Sequence, residues 1–500
     1  MSDALQQDLT ELALDTRVGQ LIRKGPLSCL PATSLKQAFE AMDAAKAGSM
    51  LVCDASGAVQ GILTRYDLIS RVILPQLPLS TSIQEVMSTG LKTIDADSGV
   101  LEAMLMMARH RVRHLPVLQH GFLVGLISEG DLVSFQRSSL RILSASIEQA
   151  QDLSALKLCS QEVLRLARRL LAQGVAATSL ARLVSHLNDS LTRRVIQLTE
   201  AQMKGQLGPL PPWAWLALGS EGREEQTVAT DQDNAIIFDA DGPAYRQRFM
   251  RLAAAINQGL ADVGFPLCKG GVMAMNEKWC KSAAEWRDSL SAWMRLPHPE
   301  ALLDANIFLD FRGLYGEVRL ADALRKWLSD QVEGHQLFLR ALAQDAVRDE
   351  VEGLTRNGVR VSLARALRKR GYQVNWLAPA RLEMKRGGTA PVVVFARVLA
   401  LAKGISQTST DERLQALVER QSMSAAESQQ MRDAFNVLQR YRLRAQLEFA
   451  SRAEHQEQGG VSPNLLQLDS LNSHEIERLS EALSHLGGLR ARLEMDFLRG

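Results

Sequence analysis

The residues whose types and spacing best suit chemistry lie in one segment, LGSEGREEQTVATDQDNAIIF. Asp231 and Asp233 stand one residue apart where its closing apolar run begins. On an extended strand such residues point to the same face. Two carboxylates on one face are hard oxygen ligands, and Mg²⁺ binds one or two carboxylates together with substrate phosphates. The spacing therefore predicts a site for Mg²⁺ or Mn²⁺.

The start of the same segment suits a phosphate group. Gly219 lets the backbone approach a phosphate closely. Ser220 offers a hydroxyl and a backbone amide as donors, and the guanidinium of Arg223 could neutralise phosphate charge. We predict that these three residues bind the phosphates of a nucleotide.

A third carboxylate is expected on a neighbouring strand. Asp310 lies in the apolar run NIFLDFR, which we interpret as a strand. Three carboxylates around one or two metal ions would stabilise the attacking and leaving oxygens of an in-line nucleotidyl transfer. Asp231, Asp233 and Asp310 are therefore the candidate catalytic and metal-binding residues. The alternative is that Asp310 forms a structural ion pair with Arg312.

The elements that must position these residues belong to several domains, because 500 residues are too many for one core. Alternating helical and strand patterns predict an α+β multidomain chain. The predicted parts are an N-terminal helix over 1–20, two similar α/β units over 21–137, a helical connector over 138–205, a mixed sheet with helices over 206–330, and a helical bundle over 331–490.

The two similar units end in the same pattern, a glycine, two apolar residues and Ser/Thr-x-x-Asp. The pattern places Thr64 with Asp67 and Ser128 with Asp131. These ends resemble those of cystathionine-β-synthase (CBS) domains, in which the Asp bonds ribose hydroxyls and the Ser/Thr contacts phosphate. The resemblance implies an adenine nucleotide at the CBS pair. The alternative is that all four residues are helix caps.

The Gly-Ser…Asp-x-Asp pattern resembles the signature of the polymerase β-like nucleotidyltransferase superfamily. The whole chain is similar to bacterial signal-transduction proteins that join a CBS pair to a nucleotidyltransferase domain and a helical substrate-binding domain, a family akin to the PII-protein uridylyltransferases. Further marks of the resemblance are CKGGVMAMNEKW, LDANIFLDFRGLYG and MKRGGTAPVVVFARVLAL. It implies a nucleotidyltransferase domain over 206–330 and a substrate-binding domain over 331–490.

The expected function is metal-dependent transfer of a nucleoside monophosphate from an NTP to an acceptor, which could be a protein. A ligand at the CBS pair would regulate the transfer. The alternative is a non-catalytic sensor that binds nucleotides and signals through partners. A homodimer is expected by analogy with other CBS pairs.

Composition argues against other partners. A net charge of +2 and an aromatic fraction of 5% give no reason to expect nucleic acid. No run of about 18 apolar residues occurs, so no membrane partner is expected. Five scattered cysteines without a CxxC pair favour reduced thiols in a cytoplasmic protein.

Basic residues of the helical region leave two interpretations open. Lys385 and Arg386, followed by two glycines, could touch a triphosphate or could be solvated charges at a helix cap. Arg413, Arg442 and Arg444 occupy family-like positions, and the sequence does not indicate which of them face a cleft.

Overall fold

The computed structural model of the chain describes residues 17–22, 25–110, 112–347, 381–453, 462–485 and 488–499. Its contacts divide the chain into two compact units, Met1–Ser146 and Ile147–Gly500. Of the helix predicted over 1–20, residues 1–16 lie outside the described residues. The described end of this segment, Val18–Leu21, is a single 3₁₀ turn.

The first unit contains two copies of one α/β arrangement, as the repeat predicts. In each copy the first two strands are parallel and the last two form an antiparallel hairpin. Short helical turns cover Arg65–Asp67, Leu68–Ile73 and Ile83–Glu85. The longer elements are β1 (Ser28–Cys29), α1 (Leu35–Ala44), β2 (Ser49–Cys53), β3 (Val59–Thr64), β4 (Ile94–Asp95), α2 (Val100–His110), β5 (His114–Gln119), β6 (Phe122–Ser128) and α3 (Glu129–Gln149).

The sequence of the first hairpin explains its turn. Asp54 accepts the backbone N–H groups of Ser56 (2.9 Å) and Ala58 (3.0 Å) through one carboxylate oxygen. Gly57 adopts φ +84°, which a glycine does without steric cost. This turn joins β2 to β3 in an antiparallel hairpin.

The second unit begins with two long helices and a four-stranded mixed sheet. The strand order is β10-β7-β8-β9, in which only β8 and β9 are parallel. The elements are α4 (Leu153–Ala172), α5 (Ala177–Leu207), β7 (Trp213–Ala217), α6 (Gly219–Gly222), β8 (Asn234–Phe238), α7 (Pro243–Val263), β9 (Cys280–Ser282), α8 (Ala283–Arg295), α9 (Pro299–Phe308), β10 (Arg312–Gly316) and α10 (Arg319–Val332).

Helices cover both faces of this sheet because β7 and β8 are buried at every position. On one face Leu216 joins the core that includes Leu324 of α10. On the other face Trp213 and Phe238 pack on Phe249 of α7, with ring centroids 5.7 and 4.8 Å apart. Helices α4 and α5 pack on α7. The segment predicted as a connector therefore supplies helices to the second unit.

Beyond α10 the described residues are mainly helical, as predicted. Residues 336–347 are helical, and a π-helical turn covers Lys385–Thr389. The core of α9 and α10 continues into α11, which is buried from Pro391 to Leu401. Among the described residues, none of the helices is long and apolar enough to cross a bilayer. The elements are β11 (Arg381–Glu383), α11 (Ala390–Ala402), α12 (Thr410–Glu419), α13 (Ala425–Ala453), β12 (Leu465–Gln467), α14 (Ser473–His485) and α15 (Leu489–Leu493).

The strand predicted for NIFLDFR is wrong. Its first residues end α9 at Phe308, Asp310 lies in the turn that follows, and β10 begins at Arg312. Phe308 is buried because its ring stacks on Trp286, with centroids 4.1 Å apart. A short apolar run is equally compatible with a buried helix end and a buried strand.

Candidate active site

A tight turn after β7 carries Gly219 and Ser220 to the edge of the sheet. Gly219 adopts φ +52°, and a Cβ there would lie 3.1 Å from a carboxylate oxygen of Asp233. At Gly222 a Cβ would lie only 2.0 Å from the carbonyl oxygen of Asp310. Because glycine has no Cβ, the backbone of the turn can lie directly against both aspartates.

Asp231 and Asp233 lie in the loop directly before β8 rather than on the strand. Between them Gln232 points inward, and its side-chain amide donates to the carbonyls of Asn257 (2.9 Å) and Phe265 (2.8 Å). The buried glutamine anchors the loop, and the aspartates on either side of it both line the same cavity. The two carboxylates therefore come together without a strand.

The thiol of Cys268 lies close to both aspartates. The ligating atoms of Asp231, Asp233 and Cys268 lie within 4.8 Å of one another. Burial and the charge of Asp231 raise the pKa of Asp233 to about 6, against a hydrogen bond from Cys268 and the charge of Lys385. A bound cation would relieve this crowding of negative charge. Carboxylate oxygens and a thiol sulfur are ligands of divalent ions, so these residues fit such an ion.

Asp310 lies apart from this cluster, fully buried among three arginines. Its Oδ1 accepts from Nε of Arg397 (3.0 Å) and lies 2.8 Å from Nη2 of Arg413. Its Oδ2 accepts from Nη2 of Arg397 (2.5 Å) and Nη1 of Arg223 (2.7 Å). Burial alone would raise the pKa of this carboxyl, but the arginines outweigh burial and hold the pKa well below its usual range. The structure does not bring Asp310 to the other two aspartates.

The interpretation of Asp310 as one half of an ion pair describes this geometry, although the partner differs. Arg312 pairs instead with Asp189, at 2.9 Å. The turn that carries Asp310 is held by Arg325 of α10, which donates to the carbonyl of Leu309 at 2.6 Å. Asp310 is therefore fixed from several sides at once.

Arg223 lines the cavity, but two carboxylates already hold its guanidinium. Nε donates to Glu225 at 2.8 Å, and Nη1 donates to Asp310. The second oxygen of Glu225 accepts the backbone N–H of Thr410 at 2.6 Å. The hydroxyl of Thr408 donates to the carbonyl of Gly222 at 2.9 Å. The turn after β7 is thus bonded to the start of α12.

One cavity of about 1060 Å³ unites these elements within the second unit. Its size is in the range of pockets that hold cofactors and nucleotides. One wall carries the glycine turn and the aspartate loop, and the other comes from the helical region and is basic. The lining residues include Gly219, Ser220, Arg223, Asp231, Asp233, Lys385, Arg386, Arg397 and Arg442.

Of the three family-like arginines, only Arg442 lines this cavity. Burial and repulsion from Arg223 lower the pKa of Arg442 to about 10, and an anion in the cavity would reverse that effect. Arg413 instead forms an ion pair with Asp310. Arg444 lines a different cavity, where it donates to Glu448 at 2.9 Å. The exposed Lys385 and Arg386 also face the cavity that holds the aspartates.

The four residues at the CBS pair form two matching caps. The hydroxyl of Thr64 donates to Asp67 at 2.7 Å, and that of Ser128 donates to Asp131 at 2.6 Å. In each case the same carboxylate oxygen also accepts the backbone N–H of the hydroxyl residue. The structure therefore shows the cap arrangement. The other oxygen of Asp67 lies 3.3 Å from Nε of Arg71.

Sequence reasoning missed two residues of the site. Arg397 is the one charged residue in the run PVVVFARVLAL. Since a buried cation is costly unless paired, this pattern was a signal that a carboxylate must face α11. Cys268 had a weaker signal, because it opens the motif CKGGVMAMNEKW but resembles any other reduced thiol.

Three protein-family models match the chain. The CBS domain model matches residues 18–74 and 83–138. The family described as "Putative nucleotidyltransferase DUF294" matches residues 161–300, and "Putative nucleotidyltransferase substrate binding domain" matches residues 336–497. The chain belongs to the CBS domain-containing proteins and carries regions that match these two further families. The α+β multidomain architecture predicted from the sequence is confirmed.

Curated relatives match about a quarter of this chain. A CBS domain-containing protein of Bacillus subtilis, YhcV, is 30% identical over 109 residues, which are 22% of this chain and 77% of YhcV. An Arabidopsis thaliana protein, CBSCBSPB5, is 28% identical over 124 residues, or 25% of this chain and 22% of that protein. The chain thus spans about a fifth of the length of the Arabidopsis relative.

Solved structures that resemble part of the chain also cover about a quarter of it. A conserved protein from Pyrococcus horikoshii is 30% identical, covers 25% of this chain and 95% of its own, and has a TM-score of 0.24. A CBS domain protein from Pyrobaculum aerophilum, in complex with AMP, is 22% identical and has a TM-score of 0.23. The match covers 26% of this chain and 98% of that protein's chain.

Proposed function

We propose that the protein transfers a nucleoside monophosphate from an NTP to an acceptor, with Asp231 and Asp233 as ligands of a divalent ion. The observation that carries the proposal is the shared cavity. It sets the glycine turn and the two aspartates of one wall opposite the basic residues of the other. A triphosphate with a metal ion needs such a combination of acidic and basic groups.

Each residue has a task in this reaction. Gly219 and Ser220 bind phosphate oxygens through backbone amides and a hydroxyl. Lys385, Arg386 and Arg442 neutralise the β- and γ-phosphates, which leave as pyrophosphate when the acceptor attacks the α-phosphorus. A divalent ion, when bound at the aspartates, supplies charge neutralisation at the α-phosphate.

Asp310 acts through its neighbours in this proposal. Because Arg223 and Arg397 both line the cavity and both donate to Asp310, the carboxylate fixes the orientation of two cations of the cavity wall. Preoriented charge is worth more than mobile charge, since it needs no reorganisation as the reaction proceeds. Asp310 is therefore proposed as a positioning residue rather than a metal ligand.

The CBS pair is proposed as the regulatory part, with an adenine nucleotide at Thr64 and Asp67, at Ser128 and Asp131, or at both. A cap hydroxyl beside a helix N-terminus suits a phosphate, and a carboxylate oxygen suits ribose hydroxyls. Binding would require each aspartate to accept from the ribose in addition to the backbone N–H and hydroxyl of Thr64 or Ser128 that it already accepts.

Label transfer tests the proposed reaction. The purified chain is incubated with Mg²⁺ or Mn²⁺, each α-labelled NTP in turn, and a lysate of the source cell as the supply of acceptors. Asp231→Asn and Asp233→Asn are expected to reduce labelled product to background. Asp239→Asn is the matched control, because Asp239 is exposed directly after β8 and does not line the cavity.

The labelled product identifies donor and acceptor. Label from UTP on a protein would indicate a reaction like that of PII-protein uridylyltransferases. Transfer that survives in both aspartate variants would refute the site. Nucleotide binding without label under every condition would favour the non-catalytic sensor.

A further inference from the structure

We propose that Cys268 is the third protein ligand of the metal site, so that two carboxylate oxygens and one thiolate sulfur hold the ion. This inference rests on the proposed function, because it concerns the same ion. A mixed set of oxygen and sulfur donors favours a zinc-class divalent ion over Mg²⁺, whose ligands are oxygens. The thiol of Cys268 would lose its proton to solvent when its sulfur coordinates the metal ion.

The position of Cys268 opposite the aspartates is fixed by backbone hydrogen bonds. The N–H of Gln232 donates to the carbonyl of Pro266 at 3.1 Å, and the N–H of Asn234 donates to the carbonyl of Val272 at 3.1 Å. These two bonds bracket both Asp233 on one segment and Cys268 on the other. The register of the two segments therefore places the sulfur beside the carboxylates.

The loop around Cys268 also orients its sulfur. The backbone amides of Gly270 and Val272 donate hydrogen bonds to Sγ. Gly271 between them adopts φ +69°, and its N–H donates to the carbonyl of Cys268 at 3.0 Å. The loop thus holds the sulfur of Cys268 within 4.8 Å of the carboxylate oxygens of Asp231 and Asp233.

The carboxylate expected as third ligand is not available at this place. Both oxygens of Asp310 are engaged by arginines, and the group of ligating atoms within 4.8 Å contains Cys268 instead. In a tetrahedral site with a metal–sulfur distance of about 2.3 Å and metal–oxygen distances of about 2.0–2.2 Å, ligand atoms are about 3.5 Å apart. A small closure of the side chains reaches this geometry and leaves one position for a phosphate oxygen.

Titration of the metal-free full-length chain with Co²⁺ alone tests the sulfur ligand. A thiolate bound to Co²⁺ gives a charge-transfer absorption band in the near ultraviolet, whereas carboxylates do not. We expect the band in the unsubstituted protein, its loss in Cys268→Ser, and a fall in Co²⁺ affinity of at least about tenfold. Cys29→Ser is the matched control, since Cys29 is a half-buried thiol of the first unit and should keep the band.

A second variant tests the ion preference. Cys268→Asp replaces the sulfur with oxygen ligands and is expected to lower the ratio of Co²⁺ to Mg²⁺ affinity. Alkylation of the unsubstituted chain gives a measurement that needs no variant. Zn²⁺ should slow alkylation of Cys268 and leave that of Cys29 unchanged, and Mg²⁺ should slow neither, as mass spectrometry of the modified peptides can show.

The outcomes separate this inference from the proposed function. Co²⁺ binding without the band, a band that survives Cys268→Ser, or alkylation of Cys268 that Zn²⁺ does not slow would overturn the sulfur ligand. If the unsubstituted chain still transfers label with Mg²⁺ in that case, the nucleotidyltransferase proposal stands. If metal binding is also unaffected by Asp231→Asn and no label is transferred, both proposals fail.

Discussion

At the scale of single residues, Asp310 shows what sequence can and cannot predict. The sequence predicts Asp310 as a third metal ligand, which the structure contradicts, and leaves open an ion pair, which the structure shows with other partners. Of these partners, Arg397 and Arg413 lie 87 and 103 positions away in the chain, on α11 and α12. The lone arginine of α11 indicates that some carboxylate must face it, but which carboxylate depends on tertiary packing, so no local pattern identifies Asp310 as the partner.

We predict that Asp310→Asn lowers the free energy of unfolding of the second unit by about 3–5 kcal/mol, because it leaves buried arginines without their carboxylate. The pKa of Asp310 lies below its usual range, so its contribution is present above the unfolded pKa and is lost only in strong acid. The cost should therefore be the same at pH 5 and pH 8. Urea unfolding followed by tryptophan fluorescence measures it.

Asp411→Asn is the control for this change. Asp411 pairs with Arg432 at 2.6 Å, but both side chains are about one-third exposed. An ion pair in contact with water contributes about 0–1 kcal/mol, so this variant should lose little. Equal losses in the two variants would contradict the idea that Asp310 is the buried anchor of the site.

Glu221 gives a second prediction at the residue scale, with the opposite dependence on pH. Burial, followed by the charge of Asp189, raises its pKa to about 8. The folded state therefore binds a proton that the unfolded state releases above its ordinary pKa of 4.5, and stability falls as pH rises from about 5 to about 8.

We expect Glu221→Gln to reduce this fall, by about 2–4 kcal/mol, because an amide needs no proton to be uncharged. The variant should match the unsubstituted protein at pH 5 and exceed it at pH 8. Urea unfolding at the two pH values measures the difference. Asp233 titrates in both proteins, so its effect cancels. An identical pH dependence in both proteins would show that Glu221 is not the group responsible.

At the scale of elements, patterns predicted the sheet better than the turns that carry the site. NAIIF is a strand as expected, and WAWLA forms the strand beside it, since runs of apolar and β-branched or aromatic residues between breakers favour buried strands. The spacing of Asp231 and Asp233 predicts that both lie on a strand, but the strand begins at Asn234, directly after Asp233. Strand ends depend on where the ladder finds partners, which the sequence of one strand does not contain.

The ion pair between Arg397 of α11 and Asp310 can be tested by a double-mutant cycle. Helix α11 is apolar along its length except for Arg397, which is 4% exposed and reaches the turn after α9. We predict that Arg397→Met is less costly in an Asp310→Asn background than in the unsubstituted protein. The coupling free energy should be about 0.5–3 kcal/mol, as expected for residues in contact.

Urea unfolding of the four proteins of this cycle measures the coupling, again by tryptophan fluorescence. Arg325→Met serves as a control, because Arg325 is half-buried on α10 and donates to the carbonyls of Leu309 and Phe311. Its cost should depend less on Asp310→Asn. Strict additivity of Arg397→Met and Asp310→Asn would mean that α11 is not held through this pair.

At the scale of the whole molecule, the two compact units have separate cores. The first unit has its own apolar clusters around Val117 and Leu63, and the second has a core that joins the sheet to α11. All seven tryptophans lie between residues 213 and 376, hence in the second unit. Tryptophan fluorescence therefore reports on that unit alone, whereas circular dichroism reports on both.

We predict two thermal transitions by circular dichroism, since units with independent cores need not unfold together. Tryptophan fluorescence should follow only the transition of the second unit. AMP at about 100 times its Kd should stabilise the first unit by about 2.7 kcal/mol and move only the transition that fluorescence does not follow. Asp67→Asn, Asp131→Asn or their combination should remove this shift. Asp43→Asn, an exposed residue of the same unit paired with Lys46, should not.

Each result of this experiment constrains the regulatory proposal differently. If AMP moves the first transition and the two cap variants abolish the effect, a ribose contact at the caps explains it. A shift that neither variant alters would place the nucleotide elsewhere in the first unit. If fluorescence and circular dichroism coincide and AMP moves both, binding free energy at the CBS pair reaches the second unit. Only that coupling would let a ligand at the caps change the rate of transfer, because a ligand can shift another site only through a difference in its affinity for two states of the whole chain.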